Sequence, residues 1–290
     1  MPWAPLTDSR LYFELVGRGE PLLLIPGLGA ACRASDPDIP RLSQHFTLIC
    51  PELRGSGRSE AHRLPQSLRD YTADLVELLD YLQLDRVHVM GLSLGGIIAQ
   101  RLAVDHPGRV DRLVLLSCAH RFGPFLREMA TLVGHTIRHF PPRLFRRTLE
   151  LLGTSPLYMD ADPLRIDRKI ELANGREPSM KAVAQQLRCL VAGDAADDYR
   201  IEAPTLVLAG EFDALIPHCY VRQMAEAIPG SRFVLVRGAG HNPLYECPER
   251  LLPTITHYLK TGQILPIPPL RASAEARPSQ PGAAESAEAA

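Results

Sequence analysis

The chain is 290 residues long, enough to bury a large core as one domain or as a domain with an insertion. Hydrophobic residues make up 46% and charged residues 22%, with a formal net charge of −1, so nothing global favours nucleic acid or an anionic membrane surface. The longest apolar runs, such as Pro21–Leu28, are far too short to span a bilayer.

In chain order, Arg10–Val16 alternates as a strand does, and Gly17–Glu20 reads as its turn. Pro21–Ile25 is a short apolar run ending at Pro26-Gly27-Leu28-Gly29, and Phe46–Cys50 is a second such run. Leu68–Leu82 has helical spacing, with Tyr71, Leu75, Leu78, Leu79 and Leu82 on one side. Val87–Met90 is a third run, closed by Gly91; Leu94–Val104 then reads as a helix ending near His106-Pro107-Gly108. Val110–Leu116 is a fourth run. Thr205–Ala209 and Phe233–Val236 come much later, with Gln223–Ala227 helical between them. Short apolar runs separated by helices are what buried parallel strands look like, because helices cover both faces of their sheet. The expected fold class is therefore α/β, a doubly wound, mostly parallel sheet.

His120–Ala195 interrupts that rhythm. It holds no convincing strand and reads as helices over Pro124–Phe140, Arg143–Leu152, Pro163–Ala173 and Ser179–Ala192. This predicts a helical cap inserted after strand 6, with core residues 1–119 and 196–262 around a cap at 120–195. From Gln263 to Ala290 the chain is rich in Pro, Ala, Ser and Glu and is expected to be a disordered tail.

Gly91-Leu92-Ser93-Leu94-Gly95 follows a predicted strand and opens a predicted helix, the context that makes G-x-S-x-G a nucleophile elbow rather than a glycine-rich turn. A serine needs a base and an acid that orients it. Asp213 follows the run Thr205–Ala209 and His241 follows Phe233–Val236, both on loops at the carboxyl edge of the sheet, in the order Ser, acid, His. Singly, such an Asp or His is usually structural; the order and the positions together assign Ser93, Asp213 and His241 as catalytic. Glu211 is a competing acid, and Ser117 and Cys118 leave no acid after Val110–Leu116. Backbone N–H groups of Leu94 and Leu28 are the expected oxyanion donors; the bland alternative for Leu28 is a simple glycine turn. Phe122, Phe125, Met129, Leu157, Tyr158 and Met159 are candidates for an apolar pocket beneath the cap, or for plain packing.

Gly27-Leu28-Gly29, Glu52-Leu53-Arg54-Gly55-Ser56-Gly57-Arg58-Ser59, Gly91–Gly96, Gly210–Asp213 and Gly240-His241-Asn242-Pro243-Leu244-Tyr245-Glu246-Cys247-Pro248-Glu249 resemble the α/β-hydrolase superfamily over about residues 10–260. The nearest branch is the capped one with 3-oxoadipate enol-lactonases, cofactor-free haloperoxidase-like esterases and meta-cleavage C–C hydrolases. The resemblance implies a serine hydrolase of a small, largely apolar ester or lactone, with C–C hydrolysis of a diketone-like compound as the runner-up. A ligand receptor that retains the triad, or an acyltransferase, has the same motifs. Three departures stand out. The resemblance implies His-Gly, with the His supporting the oxyanion loop, where this chain has Pro26-Gly27. It implies a tryptophan within Ala30–Asp36 that is missing, and an Asp where Glu52 stands.

Other constellations are weaker. Gly27-x-Gly29 lacks the third glycine of a dinucleotide fingerprint, where Cys32 stands. His135 and His139 have metal-compatible spacing with no third ligand. No cofactor or metal is expected. Arg143, Arg146 and Arg147 read as a solvated helix face. Six cysteines, at 32, 50, 118, 189, 219 and 247, form no C-x-x-C pair and read as reduced, mostly buried thiols. Met1–Ser9 does not resemble a secretory leader, so a cytoplasmic protein is expected.

Overall fold

Period-two alternation along the short apolar runs sorts their side chains onto the two faces of one sheet. The computed structural model describes residues 2–30, 39–172, 179–193 and 200–269. Its elements begin with β1 (Trp3–Pro5), β2 (Arg10–Gly17), β3 (Glu20–Ile25), α1 (Ile39–Leu42), β4 (Phe46–Pro51), α2 (Leu68–Tyr81), β5 (Val87–Leu92), α3 (Leu94–Asp105) and β6 (Val110–Leu116). The helices α4 (Pro124–His139), α5 (Pro142–Gly153), α6 (Pro156–Ala161), α7 (Arg165–Leu172) and α8 (Met180–Ala192) follow. The chain then returns to the sheet through β7 (Thr205–Gly210), α9 (His218–Ala227), β8 (Arg232–Val236), α10 (Pro243–Glu246) and α11 (Pro248–Thr261).

The strands form one eight-stranded sheet in the order β1-β2-β4-β3-β5-β6-β7-β8. β1 and β2 pair antiparallel at one edge; the six strands from β4 to β8 are parallel. Leu23, Ile49, Val89, Leu115 and Val207 face a cluster shared with α2 and α3. Leu22, Leu48, Met90, Val114 and Leu206 face the other cluster, shared with α11. Full burial of such a side chain stabilises the fold by roughly 1.5–3 kcal/mol, and a one-residue slip of a central strand would exchange its two faces and disrupt the packing of both clusters. This is the doubly wound α/β architecture expected from the run pattern.

Helix α2 starts where Ser67 Oγ accepts from Asp70 N–H and the Asp70 carboxylate accepts from Ser67 N–H, a capping box. It buries Leu68, Tyr71, Leu75, Leu78 and Leu79. α3 is buried nearly all round, as befits a helix lying between the sheet and its neighbours.

Register places the site. Ile25 pairs with Gly91, so the ends of β3 and β5 are level. The chain winds outward in opposite directions from these two strands, and the crevice beyond such a switch point is where α/β sheets bind ligands. Gly210 pairs with Val236, so the loops after β7 and β8 also start level.

Several elements differ from expectation. β1, α1, α6, α10 and α11 fall outside the expected elements, and α9 starts earlier than Gln223. The expected disorder from Gln263 is corrected for residues 263–269. Ile264 and Ile267 pack on the core, Thr254 Oγ1 donates to Leu265 O at 3.2 Å, and Arg250 Nε donates to Pro268 O at 2.9 Å. The rest of the expected tail, residues 270–290, lies outside the described residues, as do Cys32 and the loop residues 31–36.

Candidate active site

Ser93 is the N-cap of α3 and sits directly after β5, with φ 55° and ψ −118°. A positive φ in a residue bearing a side chain costs of order 1–3 kcal/mol and persists only where its surroundings force it. The force here is a close fit. A methyl group on Gly95 would overlap the carbonyl oxygens of Ile25 and Pro26, and one on Gly91 would overlap the carbonyl of Gly95. Only glycine at both positions lets the elbow lie against the end of β3. Ser93 N–H donates to Leu116 O at 2.9 Å, tying the elbow to β6 as well.

The loop after β7 delivers Asp213, whose side chain is 1% exposed. Its Oδ1 accepts from the N–H groups of Leu215 and Ile216, both at 2.9 Å, and its Oδ2 lies 2.8 Å from His241 Nδ1. A carboxylate so placed accepts from Nδ1–H and leaves Nε2 as the free nitrogen. Glu211 is elsewhere engaged. It pairs with Arg237 at 2.6 Å and accepts from Gly238 N–H at 2.9 Å, and these bonds hold its carboxyl below the usual range.

The loop carrying His241 is seated against the segment between α5 and α6. His241 N–H donates to Gly153 O at 2.5 Å, and a methyl group on Gly240 would overlap Gly153 O and Ser155 N. Glu246 closes this junction: its Oε2 accepts from Gly240 N–H at 2.9 Å and Ser155 N–H at 3.2 Å. Burial pushes its carboxyl up to about 7, against the opposing pull of those N–H donors and of Lys169.

Ser93 and His241 line one cavity of about 730 Å³, between the carboxyl edge of the sheet and the helices α4, α5, α7 and α8. They share it without a hydrogen bond between them, and such bonds often tighten only when substrate binds. That volume suits a small organic ligand. Leu126, Met129, Val133 and Phe145 supply an apolar wall. Lys169 and Glu150, paired at 2.6 Å, form a polar patch, with Lys169 Nζ 4.4 Å from the centre of the Tyr245 ring.

Leu28 also lines the cavity, in a turn closed by Ala30 N–H on Gly27 O at 3.1 Å. Gly27 abuts the Ser93 side chain. Leu94 is the first residue of α3, where N–H groups have no acceptor within the helix.

Of the expected pocket residues, Phe122 and Met129 line the cavity and the others do not. Phe125 is exposed and stacks on Tyr220, and Leu157 faces solvent on the short helix α6. Tyr158 packs edge-on against Tyr245 with Arg165 over its ring, one layer behind the wall; Met159 also lies outside the lining. Arg146, expected on a solvated face, is part of the cavity wall, while Arg143 and Arg147 are exposed. His135 and His139 stack on each other on the exposed side of α4. Among the described residues no three His, Cys, Asp or Glu side chains group as metal ligands, and no helix is long and apolar enough to cross a membrane. Among the described cysteines, Cys50, Cys118 and Cys189 are buried and Cys219 is exposed, all as free thiols. Glu246 stands in the Gly240–Glu249 motif, whose spacing alone assigns it no role.

Comparison with known proteins bears on the fold and the family. A model of the alpha/beta hydrolase fold matches residues 20–248. A proposed carbamate hydrolase of Azorhizobium caulinodans, RutD, is 28% identical over 242 residues, 83% of this chain and 91% of that protein. Among solved structures, the enol-lactonase of Burkholderia xenovorans superposes with a TM-score of 0.79 at 25% identity, over 89% of this chain and 100% of that one. A thermophilic esterase from Thermogutta terrifontis superposes with a TM-score of 0.75 at 28% identity, over 87% of this chain and 93% of that one.

Proposed function

This chain belongs to the alpha/beta hydrolase family, and we propose that it is a serine hydrolase that cleaves a small, largely apolar carboxylic ester or lactone. The observation that carries the proposal is the strained Ser93 elbow opening into the same cavity as the His241–Asp213 pair.

Ser93 Oγ attacks the carbonyl carbon while His241 Nε2 takes its proton. Asp213, held by two backbone N–H groups, fixes the imidazole tautomer and stabilises the imidazolium that forms. The tetrahedral oxyanion is met by the N–H groups of Leu28 and Leu94, aided by the positive end of α3. His241 returns the proton to the leaving alkoxide, giving an acyl-serine. Water, activated by the same histidine, then releases the acid. In a lactone the leaving alkoxide stays tethered to the acyl group, and the sequence of steps is the same. The apolar wall of Leu126, Met129, Val133 and Phe145 is suited to an aliphatic acyl or alkyl chain.

The test compares wild type with Ser93→Ala on short-chain p-nitrophenyl esters, lactones and carbamates, with intact-mass detection of an adduct. The variant is expected to lose on the order of 10⁴-fold in kcat/KM, and only wild type should carry an acyl group. Comparable turnover in the variant would refute the assignment.

A further inference from the structure

Gln186 is a wholly buried polar side chain on the cap helix α8 that reaches two loops of the sheet domain. Its Oε1 accepts from Gly29 N–H at 2.9 Å, and its Nε2 donates to Ser56 Oγ at 2.8 Å. The chemistry fixes which way the amide points, because Gly29 N–H can only donate and so must meet the oxygen. Ser56 is itself buried, so the amide is anchored at both ends.

Gly29 is the residue with φ 64° in the turn that follows β3. Its N–H is spent on Gln186 and that of Ala30 on Gly27 O, and the neighbouring Leu28, which lines the cavity, is held between them. Pro26 has no N–H and no polar side chain. Among the described residues, Gln186 is the side chain that hydrogen-bonds residues 26–30.

We infer that Gln186 is a positioning residue of the oxyanion hole: by holding Gly29, the cap helix aims the Leu28 N–H at the reacting carbonyl. The inference rests on the reading of Leu28 as an oxyanion donor. It makes the cap more than a lid over the substrate, since its seating sets a donor geometry that matters most in the transition state. Such a contribution appears in kcat and leaves ground-state binding nearly untouched.

The test uses the full-length protein with Gln186→Met, which keeps the length of the side chain and removes both bonds, and Ser56→Ala, which removes only the outer anchor. Loss of one oxyanion donor costs roughly 10²–10³-fold in kcat. A misaimed donor in Gln186→Met is therefore expected to cost about 10–100-fold, with KM within about threefold of wild type. Affinity for an alkyl trifluoromethyl ketone, which forms an oxyanion-bearing hemiketal with Ser93, should fall by a similar factor. Affinity for an unreactive ketone of the same shape should not. Ser56→Ala should lower kcat by about threefold in the same pattern, and it carries the test alone if Gln186→Met does not fold. Unchanged kcat and trifluoromethyl-ketone affinity in the folded variant, or a rise in KM alone, would overturn the inference. Wild-type protein that never acylates at Ser93 would overturn the hydrolase reading and this inference with it. Wild-type turnover matched by a fully active Gln186→Met would overturn the inference alone.

Discussion

The Ser93 elbow and the His241 loop are both fitted without clearance, but against different parts of the molecule. At the elbow, Gly95 lies on the carbonyls of Ile25 and Pro26, so Ser93 is wedged into the sheet itself. At the His241 loop, Gly240 lies on Gly153 and Ser155, and Glu246 bonds both sides of that contact. Ser93 is thus positioned by the core, whereas His241 is positioned by the core on one side and by the cap on the other. Cap movement relative to the sheet would disturb the imidazole while leaving the serine in place.

Matched glycine substitutions break this comparison if it is wrong. Gly95→Ala forces a methyl group into backbone oxygens of the central strand β3. It is expected to cost about 3 kcal/mol or more of folding stability, read as a lowered denaturation midpoint or as insoluble protein. Gly240→Ala forces a methyl group into Gly153 O and Ser155 N of the cap segment, outside the central sheet. The expected result is a milder loss of stability and a fall in kcat of about 10–100-fold, because small misplacements of a catalytic group are costly. Equal destabilisation by both substitutions, with kcat preserved in folded Gly240→Ala, would erase the distinction.

The smallest effect concerns pH. Burial raises the Glu246 carboxyl to about 7. An acid whose folded value lies above its unfolded value favours the fold while protonated, and that contribution is lost as pH rises through the folded value. Wild type should therefore lose stability between about pH 5 and pH 8 relative to Glu246→Gln, which stays neutral and whose amide oxygen can still accept from Gly240 and Ser155. The expected divergence is roughly 2 kcal/mol, measured by chemical denaturation at both ends of that range. Parallel stability curves would show that this carboxyl does not titrate in the junction.

The same division separates what the sequence discloses from what it hides. Strands such as Val87–Leu92 are legible because a buried parallel strand must be apolar on both faces, and the Gly-x-Ser-x-Gly spacing marks a place where the chain must turn without Cβ atoms. Asp213 and His241 follow from that, since each stands just beyond an apolar run whose end falls on the same sheet edge. The cap has no such rule. Phe125 and Met129 are one helical turn apart on α4, yet Met129 lines the cavity and Phe125 stacks on Tyr220. The two share a face of the helix, so what separates them is where along α4 its neighbours dock, and periodicity does not encode docking. Leu157 and Tyr158 lie off the cavity lining for the same reason. α11 is obscured by Pro253 inside it, and Gln186 belongs to no motif, because its partners are two loops remote in sequence.

The most direct measurement is peptide mapping of the wild-type protein after treatment with a fluorophosphonate, which phosphonylates an activated serine. The account predicts one modified peptide, carrying the adduct on Ser93, with loss of esterase activity in step with labelling and no adduct on the Ser93→Ala protein. Labelling on another residue, or full activity in protein left unlabelled at Ser93, would contradict it.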